Sequence, residues 1–133
     1  MRLTRMFFAV EATAHCDLPC GVYDPAQARI EAQSVKAIIE KAAASDDEEF
    51  KVRSILIKEE RSQLVKHHLW VLWTDYFKAP HFEKYPNLHQ LFNEATKLAG
   101  AGGAKGTVDV AVADQLLAKI DEIAKIFWET KQA

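Results

Sequence analysis

Apolar residues recur three and four positions apart over four long stretches of this chain, a spacing that predicts helices. The first stretch runs from Asp24 to about Ala44 and carries Val35, Ile38, Ile39 and Ala42. The second lies between Asp46 and about Tyr76 and carries Ile57, Leu64, Val71 and Leu72. The third begins at Pro86 and aligns Leu88, Leu91, Phe92, Ala95 and Leu98. The fourth, from about Val108 to Glu129, aligns Leu116, Leu117, Ile120, Ile123, Ala124 and Phe127. No segment alternates with period two. The pattern predicts an all-α protein, an antiparallel four-helix bundle, behind a non-helical N-terminal hook.

Punctuation residues agree with this reading. Asp24-Pro25-Ala26-Gln27 reads as a helix start, with Asp24 as N-cap, Pro25 at the first helical position and Gln27 closing a capping box. Asp46 with Glu49 repeats the logic, and the acidic residues beside them favour the positive end of the helix dipole. Lys78-Ala79-Pro80 is expected to break the second helix, leaving His81 to Tyr85 as a connecting loop. Gly100 to Gly106 is expected to be a flexible turn. It has neither the preceding strand nor the Lys-Ser/Thr ending of a phosphate loop.

A length of 133 residues suits one domain. The net charge is −2, and no basic block with interleaved aromatics is present, which argues against a nucleic-acid partner. No apolar run approaches the roughly 18–20 residues of a membrane span, so no membrane role is expected.

The chemistry is concentrated in His15-Cys16-Asp17-Leu18-Pro19-Cys20-Gly21-Val22-Tyr23-Asp24-Pro25. These residues follow a short leader ending Ala12-Thr13-Ala14, whose small residues suit a peptidase that cuts after Ala14. The leader's apolar run, Met6 to Val10, is shorter than a normal export signal, and Glu11 ends it. We read residues 1–14 as a cleavable propeptide and the cytoplasm as the location, with export as the alternative. Residues 15–133 form the functional domain, the hook spanning 15–23 and the bundle 24–133. Without the leader the net charge becomes −3.

Cleavage after Ala14 gives His15 a free amine. That amine, the His15 imidazole, the next backbone nitrogen and the Cys16 thiolate can then reach one metal ion, and Cys20 adds a second sulfur. Two thiolates with two backbone-type nitrogens suit planar nickel(II) or copper(II), whereas zinc prefers a tetrahedron. Copper would tend to oxidise the sulfur, so nickel is the better match, with the imidazole as a fifth, axial donor. Electron-releasing thiolate and amidate donors bring a nickel(III)/nickel(II) couple into a usable range. The two cysteines are the chain's only ones and lie four residues apart, which points to a metal or redox role. Spacing alone leaves ordinary thiols or a labile disulfide open. Three functions follow: a redox enzyme, a nickel or copper carrier, or a dithiol redox module.

The hook resembles that of the nickel-containing superoxide dismutases. Asp75-Tyr76-Phe77-Lys78, Pro80-His81-Phe82-Glu83-Lys84-Tyr85-Pro86 and Ile126-Phe127-Trp128-Glu129-Thr130-Lys131 are also similar to that family. The resemblance covers essentially everything after Ala14. It implies dismutation of superoxide to dioxygen and hydrogen peroxide, with nickel alternating between its +3 and +2 states. It implies one nickel ion per subunit, bound after a leader peptidase has acted, in a homohexamer. His15, Cys16 and Cys20 match the metal ligands. Pro19 matches a cis-proline that folds the loop back, Asp17 a structural position in the same loop, and Tyr23 the residue that screens the open face.

Glu31 and Arg61 stand out without any resemblance. Glu31 is in register with Val35 and Ile38, and Arg61 lies four after Ile57 and three before Leu64. Charges on apolar faces are costly unless paired, so the two are expected to meet. The resemblance implies that they orient the His15 ring, and that Tyr76 and Lys78 lie near the site at subunit contacts, where Lys78 helps draw in an anion.

Overall fold

The computed structural model describes residues 20–132. The expected leader, the metal ligands His15 and Cys16, and Asp17 and Pro19 lie outside the described residues. Four long helices make the frame: α1 (Ala26–Ala43), α2 (Glu48–Val71), α4 (Leu88–Ala99) and α5 (Val110–Gln132). A π-helical turn, Leu72–Tyr76, continues α2, and a short helix α3 (Ala79–Lys84) precedes α4. No strand occurs among the described residues. None of their helices is long and apolar enough to cross a membrane.

The long helices pack in a closed ring, α1 on α2, α2 on α4, α4 on α5 and α5 on α1. Side-chain pairs show that neighbours run antiparallel. Between α1 and α5, Arg29 pairs with Asp121 and Lys36 with Asp114, both at 2.7 Å. Between α4 and α5, Lys119 pairs with Glu94 at 2.7 Å, while Tyr85, just before α4, donates to Glu129. Inside the ring lie Val35, Ile39, Leu91, Phe92, Ala95, Leu116, Ile120, Ile123 and Phe127, all members of the expected stripes. The bundle is the one the periodicity predicts.

Four local details differ. Asp24 does cap α1, its carboxylate accepting the Ala26 N–H at 2.8 Å, but Pro25 stands before the first helical residue. At α2 the cap is Asp47 and not Asp46, because the extended Asp47 backbone lets its carboxylate accept the N–H groups of Glu49 and Phe50. The expected loop His81–Tyr85 is mostly helix, since Pro80 sits in the first turn of α3, where its missing N–H costs nothing; α4 then starts at Leu88 and not at Pro86. The turn after α4 is wound tightly by backbone bonds such as Ala104 N–H to Leu98 O at 2.6 Å, and Gly103 and Ala104 are buried.

The stripe on α2 also moves. Ile57 is 40% exposed, and the line facing the core is Ser54, Lys58, Ser62, Val65, Leu69 and Leu72. Small serines face the core on a helix whose neighbour α1 offers Ala28 and Ala32. Lys58 reaches out of the core to donate to the Thr107 carbonyl at 2.6 Å. Burial pushes its amine below the ordinary lysine range, and neighbouring Glu59 opposes that shift. Phe50, Val52, Ile55, Leu56 and Ile57 are left 40–65% exposed on the other side of α2.

Candidate metal centre

Of the three expected metal ligands, Cys20 is the one among the described residues. It is exposed, and its sulfur accepts the Val22 N–H at 3.4 Å. Gly21 makes that return possible with φ of +73°, a conformation that residues with a Cβ rarely adopt. The thiol also donates to the Val22 carbonyl at 3.9 Å, and the thiolate left when that proton is lost is the form a metal takes. The donor chemistry at Cys20 therefore fits a soft metal ion. No group of three or more His, Cys, Asp or Glu side chains able to hold a metal occurs among the described residues.

Tyr23 follows and rests against the bundle. It is half-buried against the core, with its ring centroid 5.6 Å from that of Tyr76. Tyr76 is the last residue of the π turn, where the Phe77 N–H reaches back five residues to the Leu72 carbonyl at 3.0 Å. Turns of this kind widen a helix locally and are frequent at functional sites. Here the turn drives three aromatic side chains into the bundle. Trp73 stacks on Phe92 with centroids 5.7 Å apart, Phe77 meets Phe92 at 5.5 Å, and Tyr76 meets Phe127 of α5 at 4.4 Å.

Lys78 is exposed, and its N–H donates to His81 Nδ1 at 3.0 Å. The His81 ring lies nearly parallel to Tyr76, 5.8 Å away, so the Tyr76–Lys78 segment and α3 form one unit. Glu31 and Arg61 do meet: Nη1 of Arg61 lies 3.2 Å from both carboxylate oxygens of Glu31. The Glu31 side chain is 16% exposed and that of Arg61 34%. Arg61 spends Nη2 on neighbouring Glu60 at 3.1 Å.

Other residues of this end were not singled out from the sequence as site residues. The Tyr76 hydroxyl lies 2.7 Å from Thr130 Oγ1, and the Lys131 ammonium sits 5.0 Å from the Tyr76 ring centre. Phe127 underlies both. The stretch Ile126 to Lys131 carried a family resemblance, but nothing in the spacing joins residue 130 to residue 76.

The profile of the family described as nickel-containing superoxide dismutase matches residues 10–131. The chain is similar to "Superoxide dismutase [Ni]" of Streptomyces seoulensis, 61% identical over 132 residues, covering 98% of this chain and 99% of that protein. It is 60% identical over the same span to "Superoxide dismutase [Ni]" of Streptomyces coelicolor, again covering 98% and 99%. Among solved structures, native nickel superoxide dismutase superposes with a TM-score of 0.86 at 62% identity, covering 90% of this chain and 100% of that one.

Proposed function

This chain belongs to the nickel-containing superoxide dismutase family, and from that premise we propose how its own residues serve the reaction. The enzyme disproportionates superoxide: one anion is oxidised to dioxygen, a second is reduced, and with two protons it becomes hydrogen peroxide. The identity of about 60% to such enzymes over 98% of this chain carries this conclusion and disfavours a carrier or a dithiol module. When bound, nickel supplies the one-electron couple, held in a usable range by thiolate and amidate donors.

In this reading residues 1–14 are removed and His15 becomes the terminus. Its amine, its imidazole, the Cys16 nitrogen and sulfur, and the Cys20 sulfur hold one nickel ion per chain. Pro19 folds the loop back and Asp17 braces it. Tyr23 covers the open face, excludes bulky anions and holds superoxide or water against it. Seating on the Tyr76 ring keeps Tyr23 in place at little entropic cost.

The Glu31–Arg61 pair fixes the His15 ring, as metal-bound imidazoles generally require of their neighbours. Lys78, exposed beside the Tyr76 segment, raises the local concentration of an anionic substrate. A homohexamer is supported by the apolar side chains left exposed on α2 and by the exposed Trp70 and Trp128, which further copies can bury. The short apolar run of the leader supports a cytoplasmic location. The test is superoxide turnover by the His15-terminal chain with and without nickel. The reading requires turnover that rises with nickel content, and metal binding without turnover would refute it.

A further inference from the structure

We infer that Thr130 is a positioning residue for Tyr76, fixing which way the only proton of that phenol points. The inference rests on the dismutase reading for its consequence, though not for its geometry. Thr130 lies in the last turn of α5, and its hydroxyl donates to the Phe127 carbonyl at 2.6 Å. A threonine hydroxyl has one proton, and here it is committed. Thr130 Oγ1 therefore faces Tyr76 with lone pairs only, and in the 2.7 Å contact between the two hydroxyls Tyr76 is the donor.

The relay runs Tyr76 O–H to Thr130 Oγ1, then Thr130 O–H to the Phe127 carbonyl. Its direction follows from the count of protons. Tyr76 is left with lone pairs alone for any other partner. A group that approaches its oxygen from the side of Tyr23 must bring its own hydrogen, and Tyr76 supplies none of the protons that peroxide formation consumes. The same bond pins the ring on which Tyr23 rests, at 5.6 Å between centroids, and Phe127 holds the other side at 4.4 Å. Thr130 thus acts on the hook through Tyr76, across 54 residues of sequence.

The chain has three tyrosines, so 13C labelling at their Cζ atoms gives three resonances, and Tyr76→Phe identifies the one that matters. In the nickel-free full chain, Thr130→Val keeps the shape, removes the acceptor and moves the Tyr76 resonance upfield. Thr130→Ser, which keeps the hydroxyl, restores its position. In the nickel-loaded, His15-terminal chain, Thr130→Val lowers kcat/KM roughly threefold to tenfold, the scale of one neutral hydrogen bond, and Thr130→Ser recovers it. A Tyr76 resonance indifferent to Thr130→Val would overturn the assignment, as would a moved resonance with unchanged turnover. Loss of fold in Thr130→Val would show as collapse of all three resonances. Thr130→Ser against the parent chain, with Tyr76→Phe as reference, then decides: a Tyr76 resonance displaced in Thr130→Ser overturns the relay, and one held in place supports it. A parent enzyme without nickel-dependent turnover would refute the dismutase reading instead, and the resonance data would separate that failure from a failure of the relay.

Discussion

Arg61 of α2 reaches across to α1 and sets one guanidinium nitrogen 3.2 Å from each carboxylate oxygen of Glu31. The carboxylate is mostly shielded from water and Arg61 is about one-third exposed, so the pair stands between a surface and a buried ion pair. Arg61→Met leaves the Glu31 charge without its partner. We expect a loss of about 1–2 kcal/mol, discounted for the exposure of Arg61, and a Tm lower by several degrees in the nickel-free chain. Glu31→Gln in the nickel-loaded chain should lower nickel affinity or turnover by about tenfold or more if the pair orients His15. Thermal unfolding reads the first effect and metal titration the second; an Arg61→Met variant as stable as the parent would contradict the first.

Lys58 gives a pH signature with a definite sign. Burial holds its folded-state pKa below the ordinary 10.5, so between those two values the unfolded chain binds more protons than the folded one. This penalty on the folded state is present in full below the folded value and is relieved as pH rises toward 10.5. Lys58→Met has no such relief. Denaturant midpoints measured at rising alkaline pH should show the parent gaining on Lys58→Met as pH approaches 10.5. A constant difference across that range would contradict the buried amine.

The turn after α4 separates two neighbouring glycines. A Cβ on Gly103 would lie 2.1 Å from the Leu98 carbonyl oxygen and 2.5 Å from its carbon, and backbone of that kind does not yield cheaply. A Cβ on Gly102 would meet nothing within 4 Å. Gly103→Ala should therefore cost about 2 kcal/mol or more, whereas Gly102→Ala should stay within about 0.5 kcal/mol of the parent. Urea midpoints of the two variants decide it, and equal stabilities would contradict the tight turn.

Residues whose partners follow from helical period were legible in the sequence. Val35 and Ile39, Leu91 with Phe92 and Ala95, and the line from Leu116 to Phe127 all face the core as their spacing requires. Glu31 and Arg61 were legible as charges on apolar stripes, for which pairing is the economical solution. On α2 the same logic misplaces Ile57, because the buried line of that helix is held in part by Ser54, Lys58 and Ser62, which no hydrophobic pattern marks. The π turn at Leu72–Tyr76 was hidden as well. A single wide turn is stabilised by the packing of Trp73, Tyr76 and Phe77 against distant helices and leaves no break in the local period. Thr130 was hidden for the same reason, since its role depends on which helix end lies beside Tyr76.

The central chemical claim is that the terminal nitrogen of His15, exposed by loss of the first fourteen residues, completes the nickel site. Superoxide consumption by the nickel-incubated chain, with residues 1–14 intact and with residues 1–14 removed, tests it most directly. The account predicts that the shortened chain retains one nickel and turns over superoxide rapidly, while the intact chain shows no nickel-dependent turnover. Equal nickel-dependent turnover by the intact chain, with mass spectrometry showing it uncut after the assay, would contradict it.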